Sequence, residues 1–204
     1  MVNLAISDSA NEIFDSVIRQ YHILDDIGQS LQNPLQEDAL NSLLFKKCWI
    51  DTVQWHVEDL IRHPKIDPSK GLEYKRLIDC LNQERTDTVE RIDDYYLQLF
   101  EKIKALPSAS VNTESPAWAI DRLSILALKI YHMRQETLRT DIEEAKKVAC
   151  AQKLNLLLEQ RKDLSKSIDE LLIDIVEGRK IMKVYRQMKM YNDPELNPVL
   201  YGKK

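Results

Sequence analysis

Several polar side chains fall where a helical wheel leaves little room for water. Stepping residues at about 100° puts His56 and Asp59 one turn apart in an apolar arc. That arc is built from Leu44, Phe45, Cys48, Trp49, Val53, Trp55 and Leu60, with Arg62 at its edge. Further along, Arg85 falls at the centre of an arc formed by Tyr74, Ile78, Leu81, Val89, Ile92 and Tyr96, with Asn82 and Asp93 on its shoulder. A buried guanidinium is costly unless it is paired and fully hydrogen-bonded, so Arg85 demands an anion. Asp59 or Asp93 could supply it inside the chain, with Asn82 completing the network. Alternatively Arg85 and Asn82 hold the phosphate or carboxylate of a ligand, with His56 and Asp59 as an acid/base pair. The two readings are compatible, since a paired core arginine can still face a pocket.

Other constellations are weaker. Bundle di-iron sites need Glu-x-x-His units, and none of His22, His56, His63 or His132 has Glu three residues before it. His56-x-x-Asp59 facing Glu90-x-x-Asp93 offers partial ligation for Mg²⁺ or Mn²⁺, but Glu90 lies off the apolar arc, so no metal or other cofactor is predicted. Trp118, Arg122, Ile125, Lys129 and His132 recur on one helical face. They form either a solvated basic face or, because Trp118 with Ile125 makes a flat apolar patch, a dimer contact or the wall of an anion site to which Trp118 and Arg122 would contribute. The wheel also sends Lys47, Asp51, Gln54 and Glu58 to the solvent side, together with an acidic face of Glu84, Asp87, Glu90 and Asp94. Arg179, Lys180, Lys183, Arg186 and Lys189 make a late basic run, explained by a helix C-terminal dipole or by an acidic partner. No Gly-x-Ser-x-Gly, Cys–His pair or glycine-rich phosphate loop is present.

The elements that must position these groups are helical. Four Gly and seven Pro in 204 residues leave little for turn-rich β architectures, and 44 % hydrophobic content suffices for a sizeable core. Breakers at Gly28, Asn33-Pro34, Pro64 to Pro68 and Pro107 to Pro116 separate segments of 3.6-residue periodicity. The spacing predicts an all-α, single-domain bundle with helices over about 7–27, 35–63, 68–106, 116–140 and 142–190, and an irregular tail over 191–204. Ser7 or Asp8 should cap the first helix, Asp67-Pro68 should open the third and Ser115-Pro116 the fourth. Between the fourth and fifth, Thr140 to Glu143 reads as a capping box. A seam of Leu154, Leu157, Arg161, Leu164, Ile168, Leu171, Ile175, Gly178, Met182 and Tyr185 predicts coiled-coil-like packing, and helices of this length suggest a homodimer.

A net charge of −4 argues against a nucleic-acid partner. Three well-separated cysteines suit a reduced compartment. With neither a signal-like start nor a membrane-length apolar run, the expectation is a cytoplasmic protein.

The stretches WIDTVQWHVEDLIR (49–62), LIDCLNQERTDTVERIDDYY (77–96), SPAWAIDRLSILALKIYHM (115–133) and VYRQMKMYNDPELNPVLY (184–201) resemble an uncharacterised bacterial all-helical family, a domain of unknown function of about this length. The resemblance implies three motif units. These are His-x-Glu-Asp at His56, Glu58 and Asp59; Asn-x-x-Arg-x-Asp at Asn82, Arg85 and Asp87; and Trp-x-x-Asp-Arg-Leu at Trp118, Asp121, Arg122 and Leu123. It implies no activity. An association of such proteins with surface-polysaccharide glycosyltransferase genes would suit an anionic ligand such as a sugar nucleotide. The alternative is a non-catalytic interaction bundle whose buried polar groups only fix helix register.

Overall fold

A computed structural model describes residues 5–37, 39–188, 190 and 193–202. Helix boundaries follow local chemistry where a strong cap exists. The Asp67 carboxylate accepts from the backbone N–H groups of Ser69 and Lys70 at 3.0 and 3.1 Å, and Pro68 takes the first helical position. Ser115 caps the following long helix by accepting from Trp118 N at 3.4 Å, again with proline just inside. Five helices result: α1 (Ser7–Leu24), α2 (Ala39–Ile61), α3 (Pro68–Leu99), α4 (Pro116–Leu138) and α5 (Glu144–Val176). Two-residue strands, β1 (Ser110–Val111) and β2 (Lys180–Ile181), pair in parallel and tie the segment after α3 to the segment after α5.

The molecule is an all-α bundle in which α2–α3 and α4–α5 pack as hairpins and α1 lies against α2, α4 and α5. Its core takes Phe14, Val17 and Tyr21 from α1, Phe45 and Cys48 from α2, and Val89, Ile92 and Tyr96 from α3. Ile120, Leu123 and Leu128 of α4 and Ile168, Leu172 and Ile175 of α5 complete it. Among the described residues no helix is long and apolar enough to cross a membrane.

The helices are shorter than periodicity predicts. α1 stops at Leu24 because Asp25 turns into the left-handed region, its N–H on Tyr21 O at 3.0 Å. Ser7 caps nothing; its N–H and hydroxyl bind Asp169 of α5. Pro34 lies before α2 rather than inside it, and α3 ends at Leu99 rather than near residue 106. The largest departure is α5, which ends at Val176 and not near 190. Gly178 has φ +72°, and a Cβ there would stand 2.7 Å from the Lys104 carbonyl oxygen, so the chain leaves the helix where backbone from the other end crosses it. Leu106 N then donates to Gly178 O at 2.9 Å. Met182 and Tyr185 therefore lie outside the helix that carries the rest of the seam. The capping box at Thr140 does not form either: Glu143 is the N-cap without a side-chain bond, and Asp141 pairs with Arg139.

Of the late basic run, Arg179, Lys180, Lys183 and Arg186 lie beyond the end of α5, and Lys189 lies outside the described residues. Arg179 pairs with Asp174 and Glu177, while Arg186 bonds the Asp94 carboxylate and the Glu90 carbonyl. Part of the acidic face of α3 is thus neutralised by the chain's own arginine.

α4 touches all four other helices, and α2 is packed by three, α1, α3 and α4. Between Leu44 and Val53 α2 is buried on almost every side, so a one-sided wheel misplaces two of its residues. Lys47 is wholly buried and Asp51 nearly so, where the wheel places both in solvent.

Candidate functional site

Arg85 does find its anion, on a helix the wheel did not connect to it. Its Nε donates to Asp121 Oδ1 at 2.8 Å and its Nη2 to Asp121 Oδ2 at 2.5 Å, a bidentate pair from α3 to α4. Asp51 Oδ1 stands 3.5 Å from Arg85 Nε. Lys47 Nζ closes the ring, bonding Asp51 Oδ2 and lying 2.9 Å from Asp121 Oδ1, and the Ser124 hydroxyl donates to Asp51 at 2.6 Å. Two cations and two carboxylates from three helices thus balance each other in the core. Burial raises the Asp51 carboxyl above the usual carboxylate range, and Lys47 only partly offsets this. Burial also acts to raise Asp121, but Lys47 and Arg85 together outweigh it and hold that carboxyl low.

Neither Asp59 nor Asp93 partners Arg85. Counted outward from the α2–α3 turn, Arg85 is level with Asp51 and Asn82 with Gln54, while Asp59 lies about two turns nearer the turn than Asp51. Gln54 Nε2 accordingly donates to Asn82 Oδ1 at 3.0 Å. Asp93, fully buried, accepts the Ser115 hydroxyl at 3.0 Å and sits at the N-terminus of α4. Burial pushes its carboxyl up to about 6 against the lowering effect of Ser115 and the Ala117 N–H.

An open cavity of about 340 Å³ lies over the quartet between α2, α3 and α4, lined by Asp51, Trp55, Glu58, Asp59, Arg62 and Arg85 among others. Arg85 is the one member of the quartet with appreciable exposure, 26 % of its side chain. A second cavity of about 590 Å³ shares Trp55 and Asp59 with the first and continues past Lys129, His132 and Lys153. Trp118 and Arg122 are elsewhere, in a groove with Asn112 and Tyr185, where Arg122 pairs with Glu114 at 2.9 Å. Of the predicted site residues, Asp59 and Arg85 share one cavity, Asn82 borders the same level through Gln54, and His56, Asp93, Trp118 and Arg122 face other places.

His56 turns away from Asp59. Its Nδ1 bonds Thr52 O at 2.8 Å, and Nε2 points toward Asp25 Oδ1 at 3.4 Å. His22 of α1 and His132 of α4 meet it there, offering ring nitrogens within 4.8 Å of one another. Aromatic rings enclose the three, with Tyr21 on His56, Tyr131 on His22 and Trp55 stacked on His132. This trio and the Lys47–Asp51–Asp121 set are what sequence reasoning missed. The signal available for the second is Asp121 in the Trp-x-x-Asp-Arg-Leu unit that the resemblance implies. Cys48 is no nucleophile, since burial pushes its thiol up to about 12.

An all-α bundle with a charge-balanced core and a cleft along α2 defines the class. Residues 41–184 match the family described as "Protein of unknown function (DUF4254)", and the chain belongs to it. No curated protein and no solved structure matches the chain.

Proposed function

We propose that this is a ligand-binding bundle whose cleft along α2 takes a small polar metabolite bearing an anionic group, of the phosphorylated-sugar or sugar-nucleotide class. The observation that carries the reading is the partly exposed Arg85 at the cleft floor. Asp121 engages its Nε and Nη2 and leaves Nη1 for a ligand oxygen. Trp55 supplies a flat apolar wall of the kind that stacks on a sugar or base, and Asp59 and Glu58 are hydroxyl acceptors. Binding fits better than turnover, because His56 and Asp59 face different surroundings and do not form an acid/base pair.

A second reading is favoured by the quartet itself. Its charges sum to zero without any ligand, so it could serve only to fix the register of α2, α3 and α4. Thermal unfolding of wild type and Trp55→Ala, each with phosphorylated sugars and sugar nucleotides, separates the two. A ligand that raises the wild-type melting temperature and does less for Trp55→Ala supports the cleft. No shift at millimolar concentration from any of them leaves the quartet as a structural lock.

A further inference from the structure

We infer that His22, His56 and His132 form a binding site for one divalent transition-metal ion of the Zn²⁺ type, with the Asp25 carboxylate as a fourth ligand. The site does not rest on the cleft's ligand. Hydrogen-bond accounting carries the argument. His22 Nδ1 faces Ile18 O at 2.6 Å and His56 Nδ1 faces Thr52 O at 2.8 Å. A carbonyl oxygen only accepts, so both Nδ1 atoms are protonated, and in a neutral ring that tautomer leaves the lone pair on Nε2. The Nε2 atoms of His22 and His132 are buried with no hydrogen-bond partner. That of His56 lies 3.4 Å from an Asp25 carboxylate oxygen. Ring nitrogens that meet from three helices, two of them buried without a hydrogen-bond partner, suit a cation held among them.

The supporting shell fits a metal site. The bonds from Nδ1 to backbone carbonyls fix the tautomer and ring orientation, as second-sphere partners of ligating histidines do. Asp25 stands in the left-handed backbone conformation at the end of α1, φ 51°, the single such non-glycine residue among those described, and this places it at His56. The nitrogens, now within 4.8 Å of one another, need to close to about 3.3 Å around an ion at about 2.0–2.1 Å, a side-chain adjustment. Burial, reinforced by the neighbouring imidazoles, lowers the pKa of His132 to about 4, and burial likewise lowers that of His22, so binding displaces no proton from either at neutral pH. Imidazole-rich sites select Zn²⁺, Ni²⁺ or Co²⁺ over the oxygen-seeking Mg²⁺ and Mn²⁺.

The test is calorimetric titration of untagged, chelator-stripped full chain with zinc sulfate. Wild type, His22→Asn, His132→Asn and His63→Asn are compared, His63 being exposed and outside the trio. One Zn²⁺ per chain is expected, weakened at least about tenfold by either trio substitution and unchanged by His63→Asn. Absence of saturable binding by wild type, or equal binding by the trio variants, overturns the site. Should the trio variants fail to fold, the visible spectrum of the wild-type Co²⁺ complex decides: intense low-coordinate bands support the site, and a pale octahedral spectrum refutes it.

Discussion

Replacing Lys47 by Met preserves much of the side chain's length and apolar bulk while deleting its charge. Lys47 is wholly buried and its two carboxylate partners are 3 % exposed, so neither anion can turn to water instead. After the substitution Arg85 still grips Asp121, but Asp51 keeps only the Ser124 hydroxyl and an Arg85 nitrogen at 3.5 Å. An uncompensated buried carboxylate of this kind costs about 3–5 kcal/mol. That is a large part of the stability of a domain this size, so urea midpoints followed by helical circular dichroism should fall steeply. Adding Asp51→Asn removes the stranded charge and leaves a balanced Arg85–Asp121 pair, so the double variant should be more stable than Lys47→Met alone, by at least about 1 kcal/mol. pH supplies a second handle. The folded-state pKa of Asp51 already lies above the ordinary value, and loss of Lys47 raises it further. A carboxyl raised in the folded state contributes most at low pH, and that contribution is lost as pH rises through the folded value, so the deficit of Lys47→Met should shrink toward acid. A variant within about 1 kcal/mol of wild type, or a double variant equal to the sum of the singles, would refute the claim that the quartet is one electrostatic unit.

Gly178→Ala should destabilise by roughly 1–3 kcal/mol, because the new Cβ meets both a positive φ and the Lys104 carbonyl. Gly202→Ala shares the positive φ (+70°) but meets nothing within 4 Å. Equal melting temperatures for the two would show that the crossing at Gly178 places no steric demand. Asp93, raised to about 6 by burial, contributes stability that is full below its unfolded value and lost as pH rises through 6. Asp93→Asn should therefore gain roughly 1 kcal/mol on wild type between about pH 5 and pH 7 in urea titrations, and a parallel pH profile would count against the raised carboxyl.

The all-α class was legible because scarce glycine and proline, helical periodicity and the Asp67 and Ser115 caps are local and mutually consistent. The polar nature of the core was legible too, since Arg85 sits on an apolar arc whichever helices surround it. What the wheel could not supply was the company each residue keeps. A wheel assumes one buried face, whereas α2 is packed by three helices, so a wheel places Lys47 and Asp51 in solvent while the fold buries them. Arg85 meets Asp121 and not Asp59 because the offset between α2 and α3 sets which turns are level, and that offset is fixed by packing. The end of α5 was hidden for the same reason: the carbonyl that crowds Gly178 belongs to Lys104, far away in sequence. His22, His56 and His132 carry no common motif, and only the packing of α1, α2 and α4 brings their nitrogens to one point. Local propensity determined the helices; the long-range contacts among them decided which charges neutralise each other and where a ligand or an ion could be held.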